Sequence, residues 1–217
     1  MLVDEFKTIN FRPSRIDSSY KIMTYPRRTT IIDDGEPARN IFRIISGQVM
    51  LSKLLPDGRR QIFELLGPES YFGFTPYDHY ESNAESLTDL TLAVFDPANI
   101  HQSHPSYIAS QIFLKQQISD LHDHALLLGR KTATERVSSF IWMLTDRSPR
   151  HQNMNTEPVC ITVPITRTEI ADYLGLTLET VSRAFSRLRQ KDVISYERHD
   201  GPMVVYMRRL KPLTGTF

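Results

Sequence analysis

Short runs of β-forming residues, separated by turn residues, fill the chain from about residue 21 to about residue 97. The turn signals are Asp33-Asp34-Gly35, Ser46-Gly47, Pro56-Asp57-Gly58, Gly67-Pro68 and Ser86-Leu87-Thr88-Asp89. Spacings of roughly 8 to 12 residues between such signals are typical of a small antiparallel barrel or sandwich. The residues that we expect in its core are Ile41, Ile44, Val49, Leu51, Ile62, Leu65, Leu90, Leu92 and Val94.

The pattern changes to that of a long helix after Pro105, since no Gly or Pro occurs between residues 106 and 128. Apolar or small residues recur there at alternating steps of four and three, the heptad seam of two packed helices. This seam consists of Leu114, Ile118, Leu121, Ala125 and Leu128, extended toward its N-terminal end by Tyr107 and Gln111. We therefore predict a dimerisation helix over residues 106–130. A helix laid on its own barrel is the alternative.

A second amphipathic helix is predicted over residues 130–146, which place Val137, Phe140, Ile141 and Leu144 on one face. Residues 147–157 are rich in Pro, Asn, Gln and His, and they predict a loop.

Residues 166–190, TRTEIADYLGLTLETVSRAFSRLRQ, predict two short helices joined by a tight turn. Thr166 and Glu169 form a capping-box pattern at the start of the first helix. Gly175 ends that helix, because glycine adopts a left-handed backbone at little cost. Thr177 caps the second helix. Two helices joined by a turn of three or four residues that contains Gly form a helix-turn-helix.

The second helix of this pair is predicted to bury one face and to expose the other. The predicted buried residues are Leu178, Val181, Phe185 and Leu188. After it, residues 193–196 and 203–207 read as two strands joined at Asp200-Gly201, which is the wing of a winged helix.

The exposed face of the second helix predicts contacts with DNA. Glu179, Ser182 and Arg183 lie at i, i+3 and i+4, so they share one side of the helix. Arg donates two hydrogen bonds to guanine, Glu accepts one from cytosine, and Ser bonds to base or backbone. We expect these three residues to contact bases, although a helical hairpin with a solvated charged face is the alternative. The expected phosphate contacts are Thr168, Thr177, Thr180, Ser186, Arg187, Arg189 and Lys191.

The charge distribution supports a polyanionic partner. The net charge is only +1, but residues 1–129 carry 12 Lys and Arg against 16 Asp and Glu, whereas residues 130–217 carry 14 against 9. A basic C-terminal half favours a polyanion such as nucleic acid. The sequence lacks a signal-peptide pattern and a run of 18 apolar residues without a charge, so we expect a cytoplasmic protein that does not enter a membrane.

Candidate chemistry outside the helix pair is sparse. The single cysteine, Cys160, excludes an internal disulfide and a multi-cysteine zinc or iron-sulfur site within one chain. Cys160 is a candidate redox switch, and burial in a strand over residues 159–163 is the favoured alternative. No nucleophile elbow, phosphate loop or catalytic triad spacing is visible, so we expect no enzyme activity.

The seven histidines do not predict a metal site. His122 and His124 lie two residues apart on a predicted helix and point in different directions, so they cannot bind one metal together. His79, His101 and His104 fall in loops or at a helix start. We therefore predict no metal and no cofactor, with a haem role as the alternative.

Three segments resemble the Crp/Fnr family of bacterial regulators. GEPARNIFRIISGQV (35–49) is similar to the cyclic-nucleotide-binding β-roll of that family, and LLLGRKTATERVSSFIWML (126–144) and ETVSR (179–183) are similar to its FixK and Fnr branches. The resemblance implies an α+β fold: an antiparallel, jelly-roll-like β-roll sensor (1–105), a dimerisation helix (106–130) and a winged helix-turn-helix (131–217). It also implies a homodimer that reads TTGA…TCAA half-sites through Glu179, Ser182 and Arg183 and recruits RNA polymerase, usually as an activator.

Departures from the family pattern reduce the number of signals that the β-roll is expected to sense. Members that bind cyclic nucleotides hold the ribose with a Gly-Glu pair and the phosphate with an Arg-Ser pair, where this chain has Gly73-Phe74 and Ser82-Asn83-Ala84. Without a guanidinium, a cyclic phosphate lacks a charge partner, so we predict no response to cAMP. Residues 1–30 contain no cysteine for an oxygen-sensing cluster. The alternative is a β-roll that binds another small effector, or senses nitric oxide through haem, with polar residues at positions 72–83.

Overall fold

The computed structural model describes residues 20–97, 105–146, 157–198 and 201–215. Residues 20–97 form a β-roll of two four-stranded antiparallel sheets, with strand orders β1-β8-β3-β6 and β2-β7-β4-β5. Its strands are β1 (Tyr20–Tyr25), β2 (Thr30–Ile32), β3 (Ile41–Ser46), β4 (Val49–Leu54), β5 (Arg60–Leu66), β6 (Tyr71–Phe72), β7 (Asn83–Ser86) and β8 (Leu90–Phe95). The predicted small antiparallel sandwich is confirmed.

The core of the β-roll comes from the inward positions of the alternating strands. The predicted core residues Ile44, Val49, Leu51, Ile62, Leu90, Leu92 and Val94 are buried. Ile41 and Leu65 are only half-buried, because Ile41 packs on a small outer cluster around Phe95 and Leu65 packs toward the C-terminal part of the chain.

Two helices connect the β-roll to the C-terminal part. Helix α1 (Pro105–Arg130) has nearly the predicted bounds, and α2 (Ala133–Asp146) begins three residues later than predicted. The chain turns at Thr132, whose backbone N–H donates to the Glu135 carboxylate at 2.8 Å, a contact typical of a helix start. Val137, Phe140 and Ile141 are buried as expected, and Leu144 is half-buried. In the described parts of the chain, no helix combines the length and the hydropathy needed to cross a bilayer.

The C-terminal part is a winged helix-turn-helix. Its elements are β9 (Val159–Ile161), α3 (Arg167–Leu174), α4 (Leu178–Gln190), β10 (Ile194–Ser195), β11 (Met203–Val205), α5 (Met207–Leu210) and a 3-10 helix (Lys211–Leu213). Strands β10, β11 and β9 form one antiparallel sheet, so the predicted wing strands are present. The second wing strand ends before Met207, which instead starts α5 and buries its side chain. Asp200 and residues 147–156 lie outside the described residues.

The β-roll and the C-terminal part share one apolar core. Met50, Ile62 and Leu87 of the β-roll belong to the same cluster of buried side chains as Phe140 on α2 and Ile170 on α3. The helix-turn-helix is therefore packed directly against the β-roll in addition to being connected through α1 and α2.

Candidate nucleic-acid interface

Helix α3 begins and ends at the predicted residues. The Thr166 hydroxyl accepts from the Glu169 backbone N–H at 3.2 Å, and the Glu169 carboxylate accepts from the Thr166 N–H at 2.7 Å, which completes a capping box. Gly175 adopts a left-handed backbone, with φ 60° and ψ 42°, and its N–H bonds back to the Ala171 carbonyl. The turn to the next helix is thus fixed by local chemistry.

Helix α4 is capped by Thr177, whose hydroxyl accepts from the Thr180 backbone N–H at 3.2 Å. The buried side of α4 consists of Val181, Ala184, Phe185 and Leu188. The prediction that Leu178 is buried is wrong, since its side chain is 48% exposed. Leu178 is the first helical residue, so it lies at the turn rather than over the core, and Ala184 fills the position close to the core.

The outer face of α4, made of Glu179, Ser182, Arg183 and Ser186, is exposed to solvent. Arg183 Nη1 lies 3.3 Å from Glu179 Oε1, and the two side chains are 61% and 76% exposed. An ion pair this exposed contributes little stability. The two side chains can therefore separate at small cost and bind a ligand instead. The structure thus brings the predicted acid, hydroxyl and guanidinium together on one accessible surface.

Cations surround this face. Thr168, Thr177, Arg187, Arg189 and Lys191 are exposed, while Thr180 is half-buried. The Thr177 and Thr180 hydroxyls lie 2.9 Å apart. The guanidinium carbon of Arg189 lies 5.2 Å from the centroid of the Tyr196 ring, at the start of the wing.

Sequence reasoning did not identify Arg167, the first residue of α3. Its guanidinium carbon lies 3.2 Å from the Phe185 ring centroid and 5.7 Å from that of Tyr196, so it contacts α4 and the wing segment. Burial holds the pKa of Arg167 below its usual value. A side chain that contacts two distant aromatic rings has no signature in a single sequence.

The predicted seam on α1 is largely uncovered. Ile118 is 56% exposed and Leu121 is 40% exposed. Ala125 is also exposed, whereas Leu114 and Leu128 are half-buried. An apolar stripe left in water on a 26-residue helix is a surface suited to association.

Cys160 is exposed, so the expectation of a buried thiol is wrong. Strand β9 alternates, burying Val159 and Ile161 and turning Cys160 to the opposite side. Its role as a redox switch stays a prediction.

Among the described residues, no group of three or more His, Cys, Asp and Glu side chains is arranged to hold a metal. His79 is paired with Asp78 at 2.9 Å on the surface, and His101 and His104 lie outside the described residues.

Aromatic residues fill the β-roll around residues 72–80. The Phe42 and Phe72 rings stack with centroids 4.9 Å apart. The Tyr80 hydroxyl donates to the Asn40 carbonyl at 2.8 Å and accepts from the Asn40 N–H at 3.0 Å, and burial raises the pKa of Tyr80. The Tyr80 hydroxyl therefore bonds to the protein's own backbone.

Comparison with known proteins gives the same two-part division. Residues 22–104 match the cyclic nucleotide-binding domain, and residues 135–213 match the Crp-like helix-turn-helix domain. The transcriptional activatory protein AadR of Rhodopseudomonas palustris is 33% identical over 174 residues, which cover 78% of this chain and 72% of AadR. The nitrogen fixation regulation protein FixK of Azorhizobium caulinodans is 35% identical over 176 residues, covering 79% of this chain and 70% of FixK.

Solved structures share the whole arrangement. FixK2 from Bradyrhizobium japonicum superposes with a TM-score of 0.79 at 29% identity, covering 91% of this chain and 98% of FixK2. TTHB099 from Thermus thermophilus superposes with a TM-score of 0.76 at 23% identity, which shows a shared fold.

Proposed function

The chain belongs to the Crp/Fnr family of regulators, and on that premise we propose that it is a homodimeric transcription activator that reads TTGA…TCAA-type palindromes in double-stranded DNA. The observation that carries this proposal is the outer face of α4, where Glu179, Ser182 and Arg183 are exposed together.

The dimensions of α4 suit a major groove. The helix has 13 residues, which makes it about 20 Å long, and a B-DNA major groove about 12 Å wide admits one helix. Arg183 supplies the two donors that guanine O6 and N7 accept, and Glu179 supplies an acceptor for the cytosine amino group. These are the base edges that a G·C pair within a TTGA half-site presents.

Phosphate contacts supply affinity without reading the sequence. We assign them to the exposed or half-buried hydroxyls and to the cations around α4, because such groups bond phosphate oxygens and the cations also release counterions. The proposed contacts are Thr168, Thr177, Thr180, Ser186, Arg187, Arg189 and Lys191.

A palindrome requires two copies of the chain. The seam on α1 supports a two-fold dimer, since a symmetric partner buries Ile118 and Leu121 that one chain leaves in water. Two recognition helices related in this way reach half-sites about 34 Å apart. The proposed division of the chain follows: residues 1–105 as the β-roll, 106–130 for dimerisation and 131–217 for DNA binding.

Transcription activation is supported by the relative AadR, which is named a transcriptional activatory protein. We propose that the dimer acts in the cytoplasm and recruits RNA polymerase. Independence from cAMP is supported by two features of the β-roll: Tyr80 bonds to Asn40, and Phe74 follows Gly73 where the family's nucleotide-binding members carry Glu. The absence of cysteine from residues 1–30 supports a regulator without an iron-sulfur cluster.

The test is a gel-shift titration of purified protein on a TTGA…TCAA palindrome and on a scrambled duplex, at two salt concentrations. We expect Arg183→Ala to lose about 1–3 kcal/mol of discrimination between the two duplexes, since one bidentate base contact is removed. Lys191→Ala serves as the matched variant: it should weaken binding to both duplexes about equally and flatten the salt dependence. Equal wild-type affinity for both duplexes would exclude direct reading by α4. Added cAMP should change neither result.

A further inference from the structure

Polar contacts hold α3 against the β-roll. Arg28 donates to both carboxylate oxygens of Glu169, the second at 3.1 Å. Arg60 on β5 donates to Asp172 at 2.9 Å. Residues more than a hundred positions apart in the chain thus fix the helix pair on one side of the β-roll. We call this contact the junction.

His124 of α1 contacts both β5 and α3 beside the junction. Its side chain is only 8% exposed. Its Nδ1 lies 3.2 Å from the carbonyl oxygen of Phe63 on β5, and its Nε2 lies 2.9 Å from the carbonyl oxygen of Tyr173 on α3. The imidazole also stacks on the Tyr173 ring, with centroids 4.3 Å apart. One side chain therefore joins α1, β5 and α3.

The two acceptors define the charge state that fits. A carbonyl oxygen can only accept, and a neutral imidazole has one N–H donor. A neutral His124 would therefore leave one ring lone pair facing a carbonyl lone pair inside the junction, whereas an imidazolium donates to both oxygens. Since buried polar groups need partners, the protonated form matches this site.

We propose that His124 is protonated when the junction is closed, so that closing the junction takes up a proton and DNA binding strengthens as pH falls. Histidine is the side chain whose charge ordinarily changes between pH 5 and 8. The inference rests on the proposed function, because it concerns how the DNA-binding face is held for that role.

Charged and titratable groups line the cavity of about 1220 Å³ beside His124, namely Glu64 on β5, Asp120 and Asp123 on α1, Lys131, Cys160 and Tyr173. Glu64 accepts a hydrogen bond from Gln117 and Asp120 accepts one from Gln116, while the amine of Lys131 is bonded to Ser139 and the Thr214 carbonyl. On α3, Glu169 and Asp172 are paired with Arg28 and Arg60, while Arg136 of α2 donates to the carbonyl of Leu174.

The mechanical consequence follows from the position of α1. This helix carries the seam, so its orientation sets where a partner chain lies, and His124 ties the same helix to α3. Closing the junction in both chains therefore fixes the distance between two α4 helices. Loss of the proton at high pH removes one of the two hydrogen bonds at His124. The distance between the two α4 helices then becomes more variable.

The direct test is nitrogen NMR of the histidine side chains in the full-length wild-type protein, with His124 identified by its contact to the Tyr173 ring. We expect both ring nitrogens of His124 to remain protonated at pH 7, because each faces a carbonyl oxygen. One protonated and one bare nitrogen at pH 6 and at pH 7 would overturn the proposal. This measurement needs neither DNA nor a folded variant.

The functional test compares binding to the palindrome at pH 6 and pH 8. We expect the wild type to bind about 3- to 10-fold more tightly at pH 6. His124→Gln should lose this dependence because an amide does not titrate, and His122→Gln should keep it. Equal wild-type affinities at the two pH values overturn the inference and leave the proposed function intact. Failure to prefer the palindrome at either pH overturns the proposed function, and the NMR result then stands alone.

Discussion

The carboxylate of Glu169 connects two parts of the chain, since it accepts hydrogen bonds from Thr166 at the start of α3 and from Arg28 of the β-roll. Burial acts to raise the pKa of Glu169, but the hydrogen bonds from Arg28 and Thr166 outweigh it and hold this pKa below the usual carboxyl value. A lowered pKa means that the charge stabilises the fold above the ordinary carboxyl range. This stabilisation is lost as pH falls through the lowered value.

We expect Glu169→Gln to lower the free energy of unfolding by about 1–3 kcal/mol at pH 7, because the amide leaves Arg28 without its charge partner. The deficit relative to the wild type should shrink at an acid pH below the lowered pKa of Glu169, where the wild-type carboxyl gains a proton as well. Urea unfolding followed at both pH values measures this difference. Glu179→Gln, an exposed change, is the control and should leave stability unchanged; an equal deficit for Glu169→Gln at both pH values would contradict the argument.

Comparing Gly73 with Gly35 distinguishes the backbone-strain cost of adding a side chain from the steric cost. Both have left-handed backbones, with φ of 87° and 90°, but a Cβ at Gly73 would lie 2.9 Å from the Asn40 carbonyl oxygen, whereas nothing lies within 4 Å at Gly35. Gly35→Ala should therefore cost about 1–2 kcal/mol from backbone strain alone. Gly73→Ala should cost about 1–3 kcal/mol more, because the backbone must shift. Thermal unfolding compares them, and equal costs would rule out the steric part.

Helix α1 exposes two isoleucines on different sides. Ile118 lies in the seam and is 56% exposed, while Ile112 is 51% exposed. Six residues along an α-helix place them about 120° apart around its axis. The pair therefore distinguishes association through the seam from a general effect of removing surface hydrophobicity.

We expect Ile118→Asp to give monomers at concentrations where the wild type is a dimer, since two carboxylates would face each other across the seam. Ile112→Asp should stay dimeric. Sedimentation velocity measures both, and the affinity for the palindrome should fall with dimer content. Dissociation of both variants, or of neither, would place the dimer contact elsewhere.

The elements themselves were largely predictable because their signals are local. The Thr166 capping box and Gly175 predicted where α3 begins and ends, and a long stretch without Gly and Pro predicted α1. Short α5 was missed, since a strand pattern and a buried four-residue helix look alike in apolar content. Contacts such as Arg28 with Glu169, or His124 with Tyr173, join distant residues and leave no periodic trace.

Neighbouring arginines on the β-roll offer a test of the junction. Arg60 reaches Asp172 on α3, whereas Arg59 pairs with Asp57 two residues away in its own hairpin. We expect Arg60→Ala to speed hydrogen exchange of the α3 amides and to cost about 0.5–1.5 kcal/mol, as expected for a partly exposed ion pair. Arg59→Ala should leave α3 exchange unchanged. Identical exchange in the two variants would mean that the Arg60–Asp172 pair does not help to hold α3.

Met50, Ile62 and Leu87 of the β-roll share a core with α2 and α3. This shared core affects what can be expressed as a fragment. A fragment that starts at residue 131 would carry the recognition helix but would uncover the apolar surface on which those three side chains rest. Such a fragment should aggregate or bind chaperones on expression. We therefore expect that the winged helix-turn-helix does not fold stably without the β-roll.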